Sequence, residues 1–158
     1  MAVGSQTIAL EESGWKESFS VVREYNPDGL IIANLSAAAS SDDAIAAVDM
    51  INADALQLHF NVPQELAMPE GDRHFKGIIE QVARVVETCP VPVIAKEVGF
   101  GFSRESVKRL YDAGVRIFDT GGQGGTNFIA IEDKRGGAFQ GELNSWGIPT
   151  AVSLLEIL

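Results

Sequence analysis

Lys76-Gly-Ile-Ile-Glu-Gln-Val-Ala-Arg-Val-Val-Glu-Thr-Cys-Pro-Val-Pro-Val-Ile-Ala-Lys-Glu-Val98 changes its period halfway. Over Lys76–Thr88, Ile78, Ile79, Val82, Val85 and Val86 recur at i, i+3, i+4, which gathers them on one stripe of a helix. Cys89-Pro90-Val91-Pro92 stops that helix, because proline removes a backbone donor and disfavours helical geometry in the residue before it. Pro92–Val98 is short and nearly all apolar, as a buried strand is.

The same alternation extends outward in both directions. Met1–Gly4, Leu30–Ala33, Ala55–Phe60 and Val115–Thr120 are further short apolar runs, each fitting a strand buried on both faces. Between them lie helical patterns: Glu17–Tyr25 with Phe19 and Val22, Ser41–Ile51 with an acidic first turn, and Ser103–Ala113 with Ser103 as N-cap and Gly114 at its end. Thr150–Leu158 begins another. The order β-α-β-α-β-α-β-α-β-loop-α predicts an α/β protein with about five parallel strands. A doubly wound sheet and a barrel share this local pattern, so periodicity alone does not separate them. No linker or low-complexity segment interrupts the chain, and residues 1–158 read as one folding unit. A first strand at residue 1 and a helix cut at residue 158 suggest a chain shortened at both ends.

Composition narrows the classes. The 158 residues are 46% hydrophobic and 22% charged, as in a soluble globular domain. No apolar run approaches the ~20 residues of a membrane span, and the N-terminus lacks a signal-peptide pattern. One cysteine, Cys89, excludes an internal disulfide framework and fits a reducing cytoplasm. A formal net charge of −10 argues against nucleic acid as a partner. A small phosphorylated ligand stays possible, since local glycine loops, helix ends and metals hold such groups.

In parallel α/β proteins ligands meet the C-terminal ends of the strands. There this sequence places Ser5; Asn34; His59, Asn61, Gln64 and Glu65; Lys96; and Asp119 with the loop Gly121-Gly-Gln-Gly-Gly-Thr-Asn127. In the third run, Gln57, His59 and Asn61 share one face of a strand and Leu56, Leu58 and Phe60 the other. The polar stripe faces either a ligand or, in an exposed edge strand, water. Glu65 is a hard carboxylate of the kind that holds Mg²⁺ beside phosphate oxygens, or else solvated surface; Glu70 and Asp72 read as surface or helix-start residues. Lys96, inside an apolar strand, needs an anion: a ligand, or Asp119 of the next strand in a structural ion pair. The four glycines of Gly121–Gly125 permit close approach of backbone N–H groups to a phosphate or a ring, or form a mobile turn. Neither a P-loop nor a dinucleotide fingerprint is present. Cys89 has no basic neighbour in sequence and reads as inert, and one cysteine with two histidines makes no zinc site.

Six blocks carry a more specific signal: Val3-Gly-Ser-Gln6, Leu30-Ile-Ile-Ala-Asn34, Leu56 to Arg73 (LQLHFNVPQELAMPEGDR), Val93-Ile-Ala-Lys-Glu-Val-Gly-Phe-Gly101, Asp119-Thr-Gly-Gly-Gln-Gly-Gly-Thr-Asn127 and Asn144-Ser-Trp-Gly-Ile-Pro-Thr150. In sequence and in order they resemble type 2 isopentenyl-diphosphate isomerases. The resemblance implies a (β/α)8 TIM barrel, present here in part, with FMN at the strand C-termini. It further implies reduced FMN as the working form, NADPH or another reductant to generate it, Mg²⁺ on the substrate diphosphate, and a homo-oligomeric intact enzyme. By position it implies flavin contacts from Ser5, Asn34, Lys96, Gly121 and Thr126. It implies substrate contacts from His59, Asn61 and Gln64, with Gln64 and Lys96 supporting the chemistry, and magnesium ligation by Glu65. Where the family often has serine, this chain has Gly121, which keeps a backbone contact and loses a hydroxyl. The implied reaction interconverts isopentenyl and dimethylallyl diphosphate by proton addition and removal, with the reduced flavin rather than a side chain as proton carrier.

Relative to the family pattern, the basic N-terminal segment, the first strand and the last two strands are absent. The expectation is therefore that the 158-residue chain alone is weak or inactive. Two other readings remain. Another FMN-barrel oxidoreductase would share the flavin geometry, but has no use for a magnesium carboxylate at Glu65. A non-catalytic truncated remnant would expose strand edges and tend to dimerise or aggregate.

Overall fold

The computed structural model describes all 158 residues. After an N-terminal segment come α1 (Thr7–Glu11), a 3₁₀ turn (Ser13–Trp15), α2 (Lys16–Tyr25), β1 (Ile32–Ser36), α3 (Ser41–Ile51) and β2 (Ala55–Phe60). Then follow α4 (Val62–Ala67), α5 (Ile78–Thr88), β3 (Val93–Glu97), α6 (Arg104–Asp112), β4 (Ile117–Asp119), α7 (Phe128–Lys134) and α8 (Thr150–Ile157). No helix is long and apolar enough to cross a membrane.

Local chemistry sets the helix boundaries. Ser40 and Asp43 form a reciprocal capping box at the start of α3. Asn52, left-handed at φ 47°, ends that helix. Ser103 caps α6 by accepting the Ser106 N–H at 3.3 Å. The helix expected from Lys76 starts at Ile78 instead, because Gly77 at φ 89° is left-handed and cannot continue it backward.

The sheet has four parallel strands in the order β1-β2-β3-β4, not five. The expected strand at Met1–Gly4 is reduced to one bridge, Ala2 to Ile32. Side chains replace the rest of its ladder. The Asn34 N–H is taken by the Gln6 side-chain oxygen at 3.0 Å, and the Val3 carbonyl by the Asn34 side-chain nitrogen at 3.0 Å. Gln6 is fully buried and also donates to the Ala47 carbonyl, which ties the N-terminal segment to α3.

β1 and β3 are buried on one face, and only β2 is buried on both, over Ala55–Leu58. Ala33, Leu35, Leu56, Leu58, Val93 and Ala95 join Ala47, Val48 and Ile51 of α3, Val82 and Val85 of α5, and Val107 and Leu110 of α6 in one core. The register places Asn34 beside Gln57, His59 beside Lys96 and Lys96 beside Asp119, all on the opposite face. No helix covers that face, and Ile117 on it is 45% exposed. The cause is the strand order. Sequential strands joined by crossovers of one hand place their helices on one side, and α3, α5, α6 and α8 pack there in a row.

Three short helices escaped the periodicity: α1, α4 and α7. At five to seven residues each, they span too few turns to show a repeating stripe. The last two pack on each other. Ala67, Phe100 and Ile129 form a second small core beneath them, at the C-terminal end of the strands.

Candidate functional site

The open face and the α4–α7 cap converge at the strand C-termini, and most of the residues singled out above lie there. His59 is the penultimate residue of β2, Asn61 precedes α4, Gln64 and Glu65 lie in α4, Lys96 is in β3, and Gly121 and Thr126 lie in the loop after β4. His59, Asn61 and Glu65 line one small cleft with Ser36, Asp72 and His74. Lys96, Gly121 and Thr126 line a second, of about 390 Å³, with Asp119, Thr120 and Gly125. The clefts adjoin, since His59 and Lys96 are lateral partners. Ser5 lies in neither: it is exposed, its hydroxyl 3.1 Å from that of Thr7.

His59 Nδ1 lies 3.0 Å from Asn34 Oδ1. The tautomer follows from Val3, whose carbonyl can only accept and therefore draws the Asn34 nitrogen. The Asn34 oxygen must then face His59, so His59 Nδ1 carries the proton and the neutral ring keeps Nε2 as an acceptor. Burial holds the His59 pKa below its ordinary 6.5, the Lys96 charge lowers it further, and Glu65 opposes both.

Lys96 and Asp119 do not form an ion pair. No carboxylate lies within 4.0 Å of the Lys96 ammonium, and Asp119 instead accepts the Gly121 N–H at 3.2 Å. Lys96 is thus a half-buried cation without a protein counter-ion at the rim of an open cleft. Gly121 is constrained: at φ 41° a Cβ there would overlap the carbonyl oxygen of Glu97. The absence of a serine hydroxyl at this position is therefore required by this backbone.

Glu65 accepts from Asn61 Nδ2 at 2.7 Å through Oε1 and from the Asp72 N–H at 2.9 Å through Oε2. Each oxygen keeps acceptor capacity. No three acidic, histidine or cysteine side chains gather into a metal cage. One carboxylate suits Mg²⁺, which takes its remaining ligands from phosphate and water. The surface reading of Glu70 and Asp72 needs one addition: Glu70, though exposed, pairs with Arg135 at 2.8 Å. For Cys89, burial raises the thiol pKa, which keeps the reactive thiolate scarce.

Glu132 was not anticipated. It sits in α7, almost fully buried, where it accepts from Gln64 Nε2 at 3.1 Å and from Arg135 at 2.5 Å. Its sequence context, Ile-Ala-Ile-Glu-Asp-Lys, reads as charge following an apolar run. Only the docking of α7 on α4 joins it to Gln64. Glu97, which follows Lys96 and ends β3, is likewise a buried carboxylate.

Fold and site together define an α/β protein whose polar residues and one unpaired cation gather at the carboxyl ends of a parallel sheet. The chain is homologous to isopentenyl-diphosphate delta-isomerases along 99% of its length. It is 58% identical over 157 residues to the curated protein of that name from Moorella thermoacetica and 53% identical to that from Geobacillus sp.. It is 52% identical over 159 residues to that from Symbiobacterium thermophilum. It spans about 45% of the length of the first two relatives and 44% of the third. No protein-family model matches the chain. Among solved structures, the YdjI aldolase from Escherichia coli K12 is similar at a TM-score of 0.44 and 17% identity, over 90% of this chain and 50% of that one. A nitroalkane oxidase from Streptomyces ansochromogenes is similar at 0.40 and 20%, over 73% and 31%. Likenesses this weak carry no argument.

Proposed function

We propose that this chain forms the flavin-ring and magnesium side of a type 2 isopentenyl-diphosphate delta-isomerase, within a (β/α)8 barrel. The barrel reading is supported by the sequential strand order and by helices on one face alone. A doubly wound sheet reverses its order at a switch point and carries helices on both faces. The open face is then the barrel interior, and its polar end the mouth.

One observation carries the functional reading: an unpaired lysine, a neutral histidine and the Glu65 carboxylate line two adjoining clefts at that mouth, and the named relatives act on a diphosphate. Lys96 is the chain's cation for the flavin ring, which is anionic when reduced. The glycines of the loop after β4 keep its backbone low, and Thr126 adds a hydroxyl at the same rim. Reduced FMN, when bound, supplies the acid–base chemistry at the alkene carbons. Glu65 is the residue that would hold Mg²⁺ against the diphosphate. His59 offers Nε2 as an acceptor in the adjoining cleft. Glu132 holds the Gln64 amide by its nitrogen and leaves the Gln64 oxygen without a protein partner.

The test is a chimera in which residues 1–158 replace the aligned stretch of the Moorella relative, assayed with NADPH-reduced FMN and Mg²⁺. Interconversion of the two C5 diphosphates is expected, with loss of at least tenfold in kcat/KM on E65Q or Q64A. A folded, FMN-loaded chimera without isomerase activity, or one indifferent to both substitutions, would refute the reading.

A further inference from the structure

The loop after β3 holds an anion-binding nest that is already filled. A single oxygen of Glu97, Oε2, accepts the N–H groups of four consecutive residues: Val98 at 2.7 Å, Gly99 at 2.8 Å, Phe100 at 2.6 Å and Gly101 at 3.0 Å. Successive amides turned inward on one point are what a phosphate or carboxylate ligand normally meets at such a strand end. The turn depends on Gly99 at φ 139° and Gly101 at φ 77°. The Glu97 carboxylate is almost fully buried and no lysine, arginine or histidine pairs with it, so amide dipoles alone balance its charge. Burial pushes its pKa above the usual carboxylate value and the four N–H groups pull it back.

The loop so folded is the surface on which the flavin-side elements close. A Cβ on Gly99 would stand 3.0 Å from the Thr126 carbonyl oxygen, and one on Gly101 would stand 2.7 Å from that of Ile148. The Phe100 carbonyl accepts the Ile148 N–H at 2.8 Å, and Phe102 exchanges two hydrogen bonds with the buried Ser153 hydroxyl. Gly121 lies against the Glu97 carbonyl. Lys96, one residue earlier, points to the opposite face by strand alternation.

We propose that Glu97 is a positioning residue. Its carboxylate acts as a built-in anion that folds the Val98–Gly101 nest, and the folded nest sets Thr126 and Gly121 at their places across the cleft from Lys96. The Glu97 oxygen Oε2 is taken up by the four amides of the nest, and its effect on flavin binding runs through the loop. That last link rests on the flavin reading given above; the nest does not.

The test separates the two. In the ¹⁵N-labelled 158-residue chain, the amides of residues 98–101 should shift together with one pH midpoint above 4.5, the shared midpoint being the Glu97 carboxyl. Glu97→Ala should raise hydrogen exchange at these amides at least tenfold and move the Gly121 and Thr126 amide resonances. Added formate should reverse both changes, because a free anion can refill the nest. Glu97→Gln, which keeps the shape with a weaker acceptor, should give the same changes in smaller size and covers the case in which the alanine variant does not fold. Amides 98–101 that ignore both substitutions, or a folded Glu97→Ala chain that formate does not restore, would overturn the proposal. FMN titration of the same samples reports the last link: affinity should fall in Glu97→Ala and return with formate. If the amides respond and the FMN affinity does not, the link to the flavin fails and the nest stands.

Discussion

Gln64 and Glu132 are 68 residues apart and share a hydrogen bond of 3.1 Å at the centre of the α4–α7 contact. Two short helices, neither evident from sequence periodicity, dock so that a buried carboxylate fixes the amide of a candidate substrate-binding residue. Glu132→Ala leaves the Gln64 nitrogen without its acceptor and should lower stability by about 1–3 kcal/mol. Urea unfolding of the two single variants and the double variant should give a coupling energy of about 1 kcal/mol between them. Additive effects would mean the bond contributes nothing.

His59 should make stability pH-dependent. Its folded pKa lies below 6.5, so the unfolded chain takes up the proton first. Its contribution is complete above about 6.5 and is lost as pH falls through that value towards the lower folded one. NMR titration of the imidazole should show the depressed midpoint. Lys96→Ala should raise it by removing a repelling charge, and Glu65→Gln should lower it by removing an attracting one.

Gly121→Ser tests whether the loop backbone excludes a side chain. The positive φ and the overlap with the Glu97 carbonyl should together destabilise the chain by about 1–3 kcal/mol. Thermal unfolding would read this as a lowered Tm. An unchanged Tm would show that the loop can refold around a serine.

Ser153 anchors α8 through both polar groups of Phe102, accepting from its N–H at 2.9 Å and donating to its carbonyl at 2.8 Å. Ser153→Ala leaves both buried groups unpaired, at a cost of about 1–3 kcal/mol. Hydrogen exchange at the Phe102 amide should rise accordingly.

The long elements were legible because each repeats its period often enough to show it. The helix over Ser41–Ile51 appears in the structure with those bounds, and Ala55–Phe60 likewise as a strand. The strand ends also drew attention to Asn34, His59 and Lys96, which share one face of the sheet, and to Glu65, which lines a cleft with His59. What sequence could not show depends on tertiary contact. Met1–Gly4 looks like a strand, and its ladder is broken by the side chains of Gln6 and Asn34. Apolar runs suggested strands covered on both faces; the strand order leaves one face without helices, and only β2 is buried on both, over Ala55–Leu58. Lys96 and Asp119 are lateral neighbours that do not pair, because Asp119 turns back to its own loop. Glu132 looks like surface charge until the docking of α7 buries it, and no pattern in the sequence gathers four amides on Glu97.

The most direct test of the central claim is a fluorescence titration of FMN into the folded 158-residue chain, with Lys96→Ala and Thr126→Ala alongside. The account predicts saturable binding that each substitution weakens at least tenfold, about 1.4 kcal/mol. No binding by the folded chain would mean that further strands of the barrel are needed, and binding equally tight without the Lys96 ammonium and the Thr126 hydroxyl would contradict the assignment of this strand-end cleft to the flavin.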